Sequence, residues 1–353
     1  MNFPDYAKKY ISKINSEIKL IWSCKKTNNS FLKDFYAEST EYFLAGGKRI
    51  RPLLTIATFN AFTSELDERI IRPSVGIEFI HNASLIHDDI IDKDELRRGK
   101  PTFHTRFFNY HNKYNLKKMN ASDFGISIGI IGGDVAFFTG LEVYLINDFG
   151  RNLNLNAINL YKTAFLEIAD GVLIETDMVN QKNLIISDYI DMIALKTGAL
   201  IEKSVLIGAN YAKVDQKLYK ALSTYGKNLG IIFQIIDDIL GTYGDEKITG
   251  KPTDGDIREG KRTCLLIFAL ENLDIPKRKK LLELIENPEM THEDVKDVKE
   301  LFNDANVIDL CNNLANSYYQ EAKESLDYLH TEINESEAEF FNALLDFVSK
   351  RKY

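Results

Sequence analysis

Proline is almost absent from the middle of this chain, and that absence limits the possible folds more than any other feature. Of the seven prolines, none lies between Pro101 and Pro252, so 150 consecutive residues contain no proline. A proline inside a helix removes a hydrogen bond and clashes with the preceding turn, and its absence therefore permits long helices. The spacing of the apolar residues decides whether such helices form.

Apolar residues recur at helical spacing along most of the chain. Over residues 229–240 they lie at positions i, i+3, i+4, i+7, i+10 and i+11, which is one stripe of a helix. Residues 75–92 and the segment around Phe340 are similar. No segment alternates long enough to build a sheet, and the polar stretch Asn109–Asn120 is predicted to be a surface loop. We expect an all-α fold with a single domain, residues 1–353.

Composition excludes several other classes of protein. The net charge of −8 argues against a general nucleic-acid binder. The sequence contains no run of about 18 uncharged apolar residues, so no transmembrane segment is predicted. The N-terminus lacks the apolar core of a secretory signal. Three dispersed cysteines, Cys24, Cys264 and Cys311, fit neither a disulfide framework nor a zinc cluster. We expect a cytoplasmic protein.

The sequence HDDIID, residues 87–92, is the strongest local signal for chemistry. Asp88 and Asp92 are four residues apart, so on a helix their carboxylates project from one face, whereas Asp89 turns away by about 100°. Two like charges one turn apart repel each other, and a divalent cation reverses that effect. Oxygen ligands of this kind suit Mg²⁺. A solvated acidic helix end is the simpler alternative for this motif taken alone.

A second acidic pair, Asp237 and Asp238, follows later in FQIIDDILG. Both carboxylates are predicted to share the polar face of their helix with Gln234, opposite the apolar stripe, because unpaired buried carboxylates are costly. Two acidic helices are more specific than one, and they suggest two metal-bearing walls that face each other across a cavity.

Basic residues accompany both acidic motifs. The glycine-flanked loop GGKRIRP, residues 46–52, leads into a helix, and KTG, residues 196–198, interrupts another. Further cations follow the acidic motifs, namely Arg97, Arg98, Lys251, Lys261 and Arg262. Mutual salt bridges on the surface would explain such a pattern at little energetic gain. Phosphate binding explains it better, because the neighbouring glycines let the backbone approach the ligand.

These motifs resemble the trans-polyprenyl diphosphate synthase family, and they occur in the family order. They are GGKRIRP, HDDIIDKDELRRGKPT, KTG, FQIIDDILG and GKPTDGDIREGKRT, and they cover roughly residues 40–265. The DDILG, GDEK and GKP elements resemble archaeal-type geranylgeranyl diphosphate synthases. The resemblance implies the isoprenoid synthase fold, a single large helical bundle around a central cavity.

The resemblance also implies an activity: condensation of an allylic diphosphate with isopentenyl diphosphate, with release of pyrophosphate. It assigns the isopentenyl diphosphate site to Lys48, Arg51, His81 and Arg98. It assigns the allylic diphosphate site to Arg97, Lys196, Thr197, Gln234, Lys251 and Lys261. The residues closest to the chemistry would be Asp88, Asp92, Arg97, Lys196, Asp237 and Lys251. The resemblance implies Asp88, Asp92 and Asp237 as metal ligands. Three Mg²⁺ ions per site and a homodimer are implied as well.

The chain departs from the family pattern in two places. The third aspartate of the second motif is replaced by Gly241, and we expect Asp256 to supply the missing oxygen ligand to the third magnesium ion, with Asp238 as the other candidate. In GVLIETDM, Ile174 stands where the family often has glutamine, and the remaining Asp177 is expected to act indirectly rather than as a metal ligand.

Product length is a separate question. The residues five and four positions before Asp88 are Ala83 and Ser84, where short-chain archaeal members often place an aromatic floor. Small residues leave the path open, unless Phe137 or Phe138 forms the floor instead. We expect a C20 product with some longer chains, and the alternative is a synthase for C25 or more.

Three other classes fit less well. An HD-type phosphohydrolase needs more histidines near His87 than His81 and His104. A terpene cyclase normally lacks the GGKRIRP loop, because it binds no second diphosphate. A non-catalytic partner subunit usually loses one aspartate-rich motif, whereas this chain keeps both.

Overall fold

A computed structural model describes residues 2–244 and 253–350 of the chain. Helices form nearly all of the regular structure there, as expected from the apolar spacing. In chain order they are α1 (Phe3–Ser23), α2 (Ser30–Leu44), α3 (Ile50–Ala61), α4 (Ile71–Ile91), α5 (Phe103–Lys113), α6 (Ala121–Leu145), α7 (Arg151–Met178), α8 (Ile186–Ile193), α9 (Ala199–Tyr211), α10 (Gln216–Tyr243), α11 (Gly255–Arg258), α12 (Cys264–Asn272), α13 (Ile275–Ile285), α14 (His292–Asp304), α15 (Val307–Leu329) and α16 (Glu335–Ser349). A 3₁₀ turn spans Glu68–Ile70 and a π-helical turn spans Ala194–Gly198.

The longest helices fall within the proline-free stretch. Helix α6 has 25 residues, and α7 and α10 have 28 each. The prediction of an all-α fold is therefore confirmed, and the lack of proline is what permits helices of this length.

Two short strands, β1 (Leu96–Arg97) and β2 (Lys100–Pro101), form a hairpin directly after the first acidic motif. Its two turn residues, Arg98 and Gly99, both have positive φ, at 54° and 70°, as a type I′ turn requires. The hairpin fixes where Arg97 and Arg98 leave the backbone.

One boundary differs from the sequence prediction. Helix α5 continues to Lys113, so the first part of the polar stretch Asn109–Asn120 is helical rather than a loop. His111 explains the difference, because its ring is buried at the end of α5 and bonds the Met119 carbonyl at 2.7 Å.

The chain divides into two compact units. The first extends to Lys162 and includes Ser204–Asp215, and the second comprises Thr163–Lys203 and the chain from Gln216 onward. The first acidic motif belongs to the first unit and the second acidic motif to the second. A single synthase domain over the whole chain stays a prediction.

In the first unit, α4 and α6 pack closely side by side. Glycines on α6 permit this approach: a Cβ atom at Gly133 would lie 2.1 Å from Nε2 of His87, and one at Gly129 would lie 2.6 Å from the Ile90 side chain. The end of α4 that carries the acidic motif is therefore held against α6. In the second unit, α10 packs in the same way against α15.

Within the described residues, α6 is the one helix whose length and composition would suit a membrane span. It carries Asp134 and Glu142, and its glycine face is buried against α4 and α5. A buried face of this kind is typical of a core helix as well, so length and apolarity are weak grounds for a span.

Candidate active site

The loop before α3 is shaped by left-handed backbone. Gly46 and Gly47 have φ values of 114° and 116°, which side chains rarely tolerate, and Arg49 at the start of α3 has a φ of 52°. The Arg98 guanidinium lies over Gly47, where a Cβ atom would sit 3.2 Å from Nη1, and the same nitrogen donates to the Gly46 carbonyl at 2.8 Å. The hairpin and the glycine loop are thus joined.

Arg51, Arg98 and His81 form a cationic cluster beside this loop. The Nε atom of Arg51 is buried and makes no hydrogen bond within the described part of the chain. Burial lowers the pKa of Arg51 to about 10, with the charge of Glu78 opposing the shift and that of Arg98 adding to it. A buried donor that lacks a partner, in a cluster of cations, is suited to an anionic ligand.

His81 is neutral in this cluster. Burial lowers its pKa well below the ordinary value, and the charges of Arg51, Arg98, Arg97 and Arg49 add to the shift. A neutral imidazole still donates one N–H, so His81 can bond a phosphate oxygen without adding another charge. The sequence placed Lys48, Arg51, His81 and Arg98 at one diphosphate site. The structure brings the last three together, and Lys48 lies exposed in the adjoining loop.

The first acidic motif ends α4. The backbone N–H of Asp92 donates to the Asp88 carbonyl at 2.8 Å, so the two residues lie one turn apart, and both are half-buried. Asp89 points inward and is fully buried, where it accepts hydrogen bonds from the Tyr42 hydroxyl at 3.0 Å and from Nε of Arg97 at 2.6 Å. The sequence-based assignment of Asp89 to a different face from Asp88 agrees with this arrangement.

Arg97 is therefore anchored as well as charged. Burial works against its charge, but the hydrogen bond and the charge of Asp89 raise its pKa. Asp89 thus fixes a cation beside the acidic motif.

The KTG motif lies in the π-helical turn after α8. Glycines on two neighbouring helices allow the backbone to approach closely: a Cβ atom at Gly171 would be 2.4 Å from the Lys196 nitrogen, and one at Gly230 would be 2.5 Å from the Gly198 Cα. Lys196 forms an ion pair with Glu175 of α7, a partner that the sequence analysis missed. No local signal connects residues 21 positions apart on different helices.

A chain of hydrogen bonds links KTG to the second acidic motif. Thr197 donates to Gln234 at 2.7 Å, and Gln234 donates to one oxygen of Asp238 at 2.7 Å. The Tyr189 hydroxyl donates to the other Asp238 oxygen at 2.8 Å. Asp237, in contrast, is exposed.

The predicted exposure of Asp238 is therefore wrong. Its side chain is buried, and its two hydrogen-bond donors offset the cost of that burial. Burial raises the pKa of Asp238 to about 8; the carboxylates of Asp256 and Asp237 add to the shift, and Gln234 and Tyr189 oppose it.

Asp256 lies where the second motif lacks its third aspartate. Its Oδ2 atom is 3.1 Å from the position of a Cβ atom at Gly241. The Nζ atom of Lys261 lies 3.5 Å from the other carboxylate oxygen of Asp256 and 2.9 Å from a carboxylate oxygen of Glu259. Asp177, which we did not expect to bind metal, is exposed and accepts a hydrogen bond from Gln181. The predicted site residue Lys251 lies outside the described residues.

The carboxylate pairs fit magnesium better than a metal held by protein alone. Within residues 2–244 and 253–350, no three His, Cys, Asp or Glu side chains form a set that could hold a metal ion. Mg²⁺ commonly takes one or two carboxylates, several waters and substrate phosphates. Asp88 and Asp92, one turn apart, match that chemistry; Asp237 is exposed on α10, and Asp256 lies beside Gly241 of the same helix.

Comparison with known proteins gives a consistent result. The chain matches the family model for polyprenyl synthetase over residues 33–304. The geranylfarnesyl diphosphate synthase of Aeropyrum pernix is 33% identical over 311 residues, which is 87% of this chain and 91% of that protein. The geranylgeranyl diphosphate synthase of Sulfolobus acidocaldarius is 31% identical over 92% of each chain.

Solved structures share the fold as well. The geranylgeranyl pyrophosphate synthase from Corynebacterium glutamicum, complexed with isoprenyl diphosphate and magnesium, matches with a TM-score of 0.90 at 26% identity, over the whole of both chains. The isoprenoid synthase fold is thereby confirmed. The chain belongs to the polyprenyl synthetase family, and it is a prenyltransferase.

Proposed function

We propose that this enzyme condenses an allylic diphosphate with isopentenyl diphosphate and makes an all-trans polyprenyl diphosphate, chiefly geranylgeranyl diphosphate (C20). The observation that carries the proposal is the cationic cluster of Arg51, Arg98 and His81, in which a buried Arg51 nitrogen has no hydrogen-bond partner among the described residues. His81 of this cluster lies on α4, the helix that ends in a carboxylate pair suited to magnesium, and Arg98 lies in the hairpin that follows it. A diphosphate and its metal ion would use both features.

The first diphosphate, that of isopentenyl diphosphate, is assigned to the cationic cluster and Lys48. Arg51 and Arg98 bind its oxygens through guanidinium N–H groups, and neutral His81 donates one further hydrogen bond. Since this substrate does not lose its diphosphate, its site needs cations and donors without a metal ion.

The second diphosphate, that of the allylic substrate, is assigned to the remaining predicted cations. They are Arg97, Lys196, Lys251 and Lys261, with Thr197 and Gln234 as neutral partners. In the structure Lys196 is paired with Glu175, so a phosphate oxygen would compete with that carboxylate for the lysine.

The reaction breaks the allylic C–O bond and forms one C–C bond. Pyrophosphate leaves with the bonding electrons, the double bond of isopentenyl diphosphate attacks the allylic cation, and a proton is then lost to the released pyrophosphate. Bound Mg²⁺, held by Asp88, Asp92, Asp237 and Asp256, would neutralise the charge that develops on the leaving group. Lys196 and Arg97 add fixed positive charge at the same step. We propose three magnesium ions per site.

Product length is proposed to depend on the α4 face above the acidic motif. Ala83 is buried, with 2% of its surface exposed, and next to it Ser84 bonds back to the His81 carbonyl at 2.9 Å. Phe138 is 62% exposed, whereas Phe137 packs against the buried Tyr161 with ring centroids 5.3 Å apart, so Phe137 is the better candidate for a floor. A longer product, as the name of the Aeropyrum relative indicates for that enzyme, is the alternative.

Replacing Ala83 with Phe tests this assignment. We expect the product to shorten toward C15, because an aromatic ring would fill the space that Ala83 leaves. Products are identified by chromatography after dephosphorylation. An unchanged product length would show that Ala83 does not line the path of the growing tail.

The function itself is tested by incubating the purified protein with isopentenyl diphosphate, Mg²⁺ and C5, C10 or C15 allylic diphosphates in turn. We expect elongation of each starter to C20. Farnesol alone would indicate a hydrolase, a cyclic hydrocarbon would indicate a cyclase, and no product would indicate a non-catalytic subunit.

We also propose a homodimer in the cytoplasm, without nucleic-acid partners. The support is a row of apolar side chains on α6, Ile131, Phe138 and Leu145, which are 57%, 62% and 61% exposed. They are spaced seven residues apart and so lie on one side of the helix. A second copy of the chain would cover them.

A further inference from the structure

Arg49 and Glu78 form a buried ion pair that the proposed mechanism does not use. The residues are 3% and 4% exposed, and Nη1 of Arg49 donates to Glu78 at 2.7 Å. Nη2 donates to the Phe43 carbonyl at 2.6 Å, and Nε donates to Asn15 at 3.0 Å. The guanidinium of Arg49 is thus held on three sides by protein atoms.

Stability is a poor explanation for this pair. Taking two charges out of water costs about as much as their attraction returns, and apolar residues of similar volume often stabilise a protein as well or better. Arg49 also adopts a left-handed backbone conformation with φ of 52°, which is costly for a residue with a side chain. The cost of burying the charge and the cost of the left-handed backbone both arise at Arg49, which lies between Lys48 and Arg51 in the glycine loop.

The position of Glu78 suggests a role. It precedes His81 by one helical turn on α4, so the two side chains are near neighbours. Besides its ion pair with Arg49, Glu78 acts through its charge on Arg51 and Arg98. That charge favours the protonated form of Arg51 and of Arg98. These are cations that would repel one another in the absence of a diphosphate.

We propose that Arg49 and Glu78 are positioning residues for the diphosphate of isopentenyl diphosphate, an inference that rests on the proposed function. Arg49 ties the glycine loop to α1, α2 and α4 and so fixes the direction of Lys48 and Arg51. Glu78 is the internal counter-ion that keeps Arg51 and Arg98 together before the substrate arrives. Neither residue touches the substrate.

The test replaces the pair by apolar residues of similar size, in the double variant Arg49→Met, Glu78→Met. Its control is the double variant Arg72→Met, Glu17→Met, which removes another ion pair, 2.6 Å long, at the opposite end of α4. Each variant is assayed for the KM of isopentenyl diphosphate, the KM of farnesyl diphosphate and kcat. Melting temperature is recorded for each.

We expect the first variant to melt near the wild type but to raise the KM for isopentenyl diphosphate between about tenfold and a hundredfold, as displaced binding groups do. The KM for farnesyl diphosphate and kcat at saturation should change far less. The control should leave all three constants unchanged. A purely structural pair would instead alter the melting temperature, or both KM values equally.

Glu78→Gln provides a second test if the double variant does not fold, because it keeps the shape and removes only the charge. Calorimetry with isopentenyl diphosphate alone, where no reaction occurs, should give a weaker Kd for this variant. Wild-type affinity in a folded variant would overturn the inference and leave the function intact. A wild-type protein that neither binds isopentenyl diphosphate nor condenses it would overturn the function itself.

Discussion

Asp256 is the residue that we propose as a substitute for the third aspartate of the second acidic motif. Gly241 leaves the second acidic motif one carboxylate short, and the Asp256 oxygen lies beside the vacated position. It is the first carboxylate after the part of the chain that the structure leaves undescribed, apart from Asp254, which pairs with Arg258 at 2.5 Å. We propose that Asp256 of α11 supplies the oxygen ligand that Gly241 of α10 cannot.

Asp256→Ala is the corresponding prediction. We expect the magnesium concentration for half-maximal activity to rise and turnover to fall roughly 10- to 100-fold, because a ligand to a charge-neutralising ion is lost. The control is Asp309→Ala, which removes an exposed carboxylate at the start of α15. Steady-state assays over a magnesium series check the prediction. An unchanged magnesium requirement together with unchanged turnover would contradict it.

His81 gives a prediction about pH. Its pKa in the folded protein is lowered by burial and by the neighbouring arginines, so the unfolded chain binds the proton more readily. The stability that neutral His81 contributes is therefore full above the ordinary histidine pKa, about 6.5, and is lost as the pH falls below it. His81→Gln, which cannot titrate, should lose less stability than the wild type between pH 7 and pH 5.

The size of that difference follows from proton linkage. Each pH unit below 6.5 should cost the wild type up to about 1.4 kcal/mol of unfolding free energy that the variant keeps. Urea unfolding at several pH values measures it. Parallel pH profiles for the two proteins would mean that His81 is not neutral in the folded state.

Helix α10 shows what the sequence could and could not predict at the scale of an element. Its apolar stripe predicted the helix and the burial of Leu229, Ile232, Ile236 and Ile239 correctly, because that pattern is local. The burial of Asp238 could not be predicted, since it depends on Tyr189, 49 residues earlier in the chain. The pairs Lys196–Glu175 and Arg49–Glu78 were missed for the same reason: each joins residues that are more than 20 positions apart in the chain.

The KTG turn depends on its neighbours, and Gly230→Ala tests this dependence. The added Cβ would lie 2.5 Å from the Gly198 Cα, so the π-helical turn has to shift. We expect a loss of stability of about 1–3 kcal/mol and a higher KM for the allylic substrate, with the KM for isopentenyl diphosphate unchanged. Gly150→Ala is the control, since nothing lies within 4 Å of a Cβ atom there. If the KM for the allylic substrate were the same in Gly230→Ala as in the wild type, the role given to the turn would be contradicted.

At the scale of the whole molecule, the net charge is negative, whereas the charge around the proposed diphosphate site is positive. The chain carries −8, yet Arg49, Arg51, Arg97 and Arg98 all act on His81 at one place. Fields at a site depend on nearby groups, because salt screens exposed charges beyond about 8–10 Å. An acidic protein can therefore bind two diphosphates.

Assembly is the second property at this scale. Phe138→Glu places a charge in the middle of the exposed apolar row on α6 and should convert the proposed dimer to a monomer, because burying an unpaired carboxylate is costly. Leu66→Glu is the control, since Leu66 is 67% exposed outside that row. Light scattering should give twice the 40.4 kDa chain mass for wild type and control and the chain mass for Phe138→Glu. A wild-type protein of one chain mass would contradict the dimer.

The most direct test of the central claim measures, in one reaction, the incorporation of labelled isopentenyl carbon into product and the release of pyrophosphate. Farnesyl diphosphate and radiolabelled isopentenyl diphosphate are incubated with the enzyme, with magnesium or with a chelator. The account predicts label in geranylgeranyl diphosphate, one pyrophosphate released for each C–C bond formed, and neither product in the chelator. Pyrophosphate release from farnesyl diphosphate without incorporation of label would contradict it.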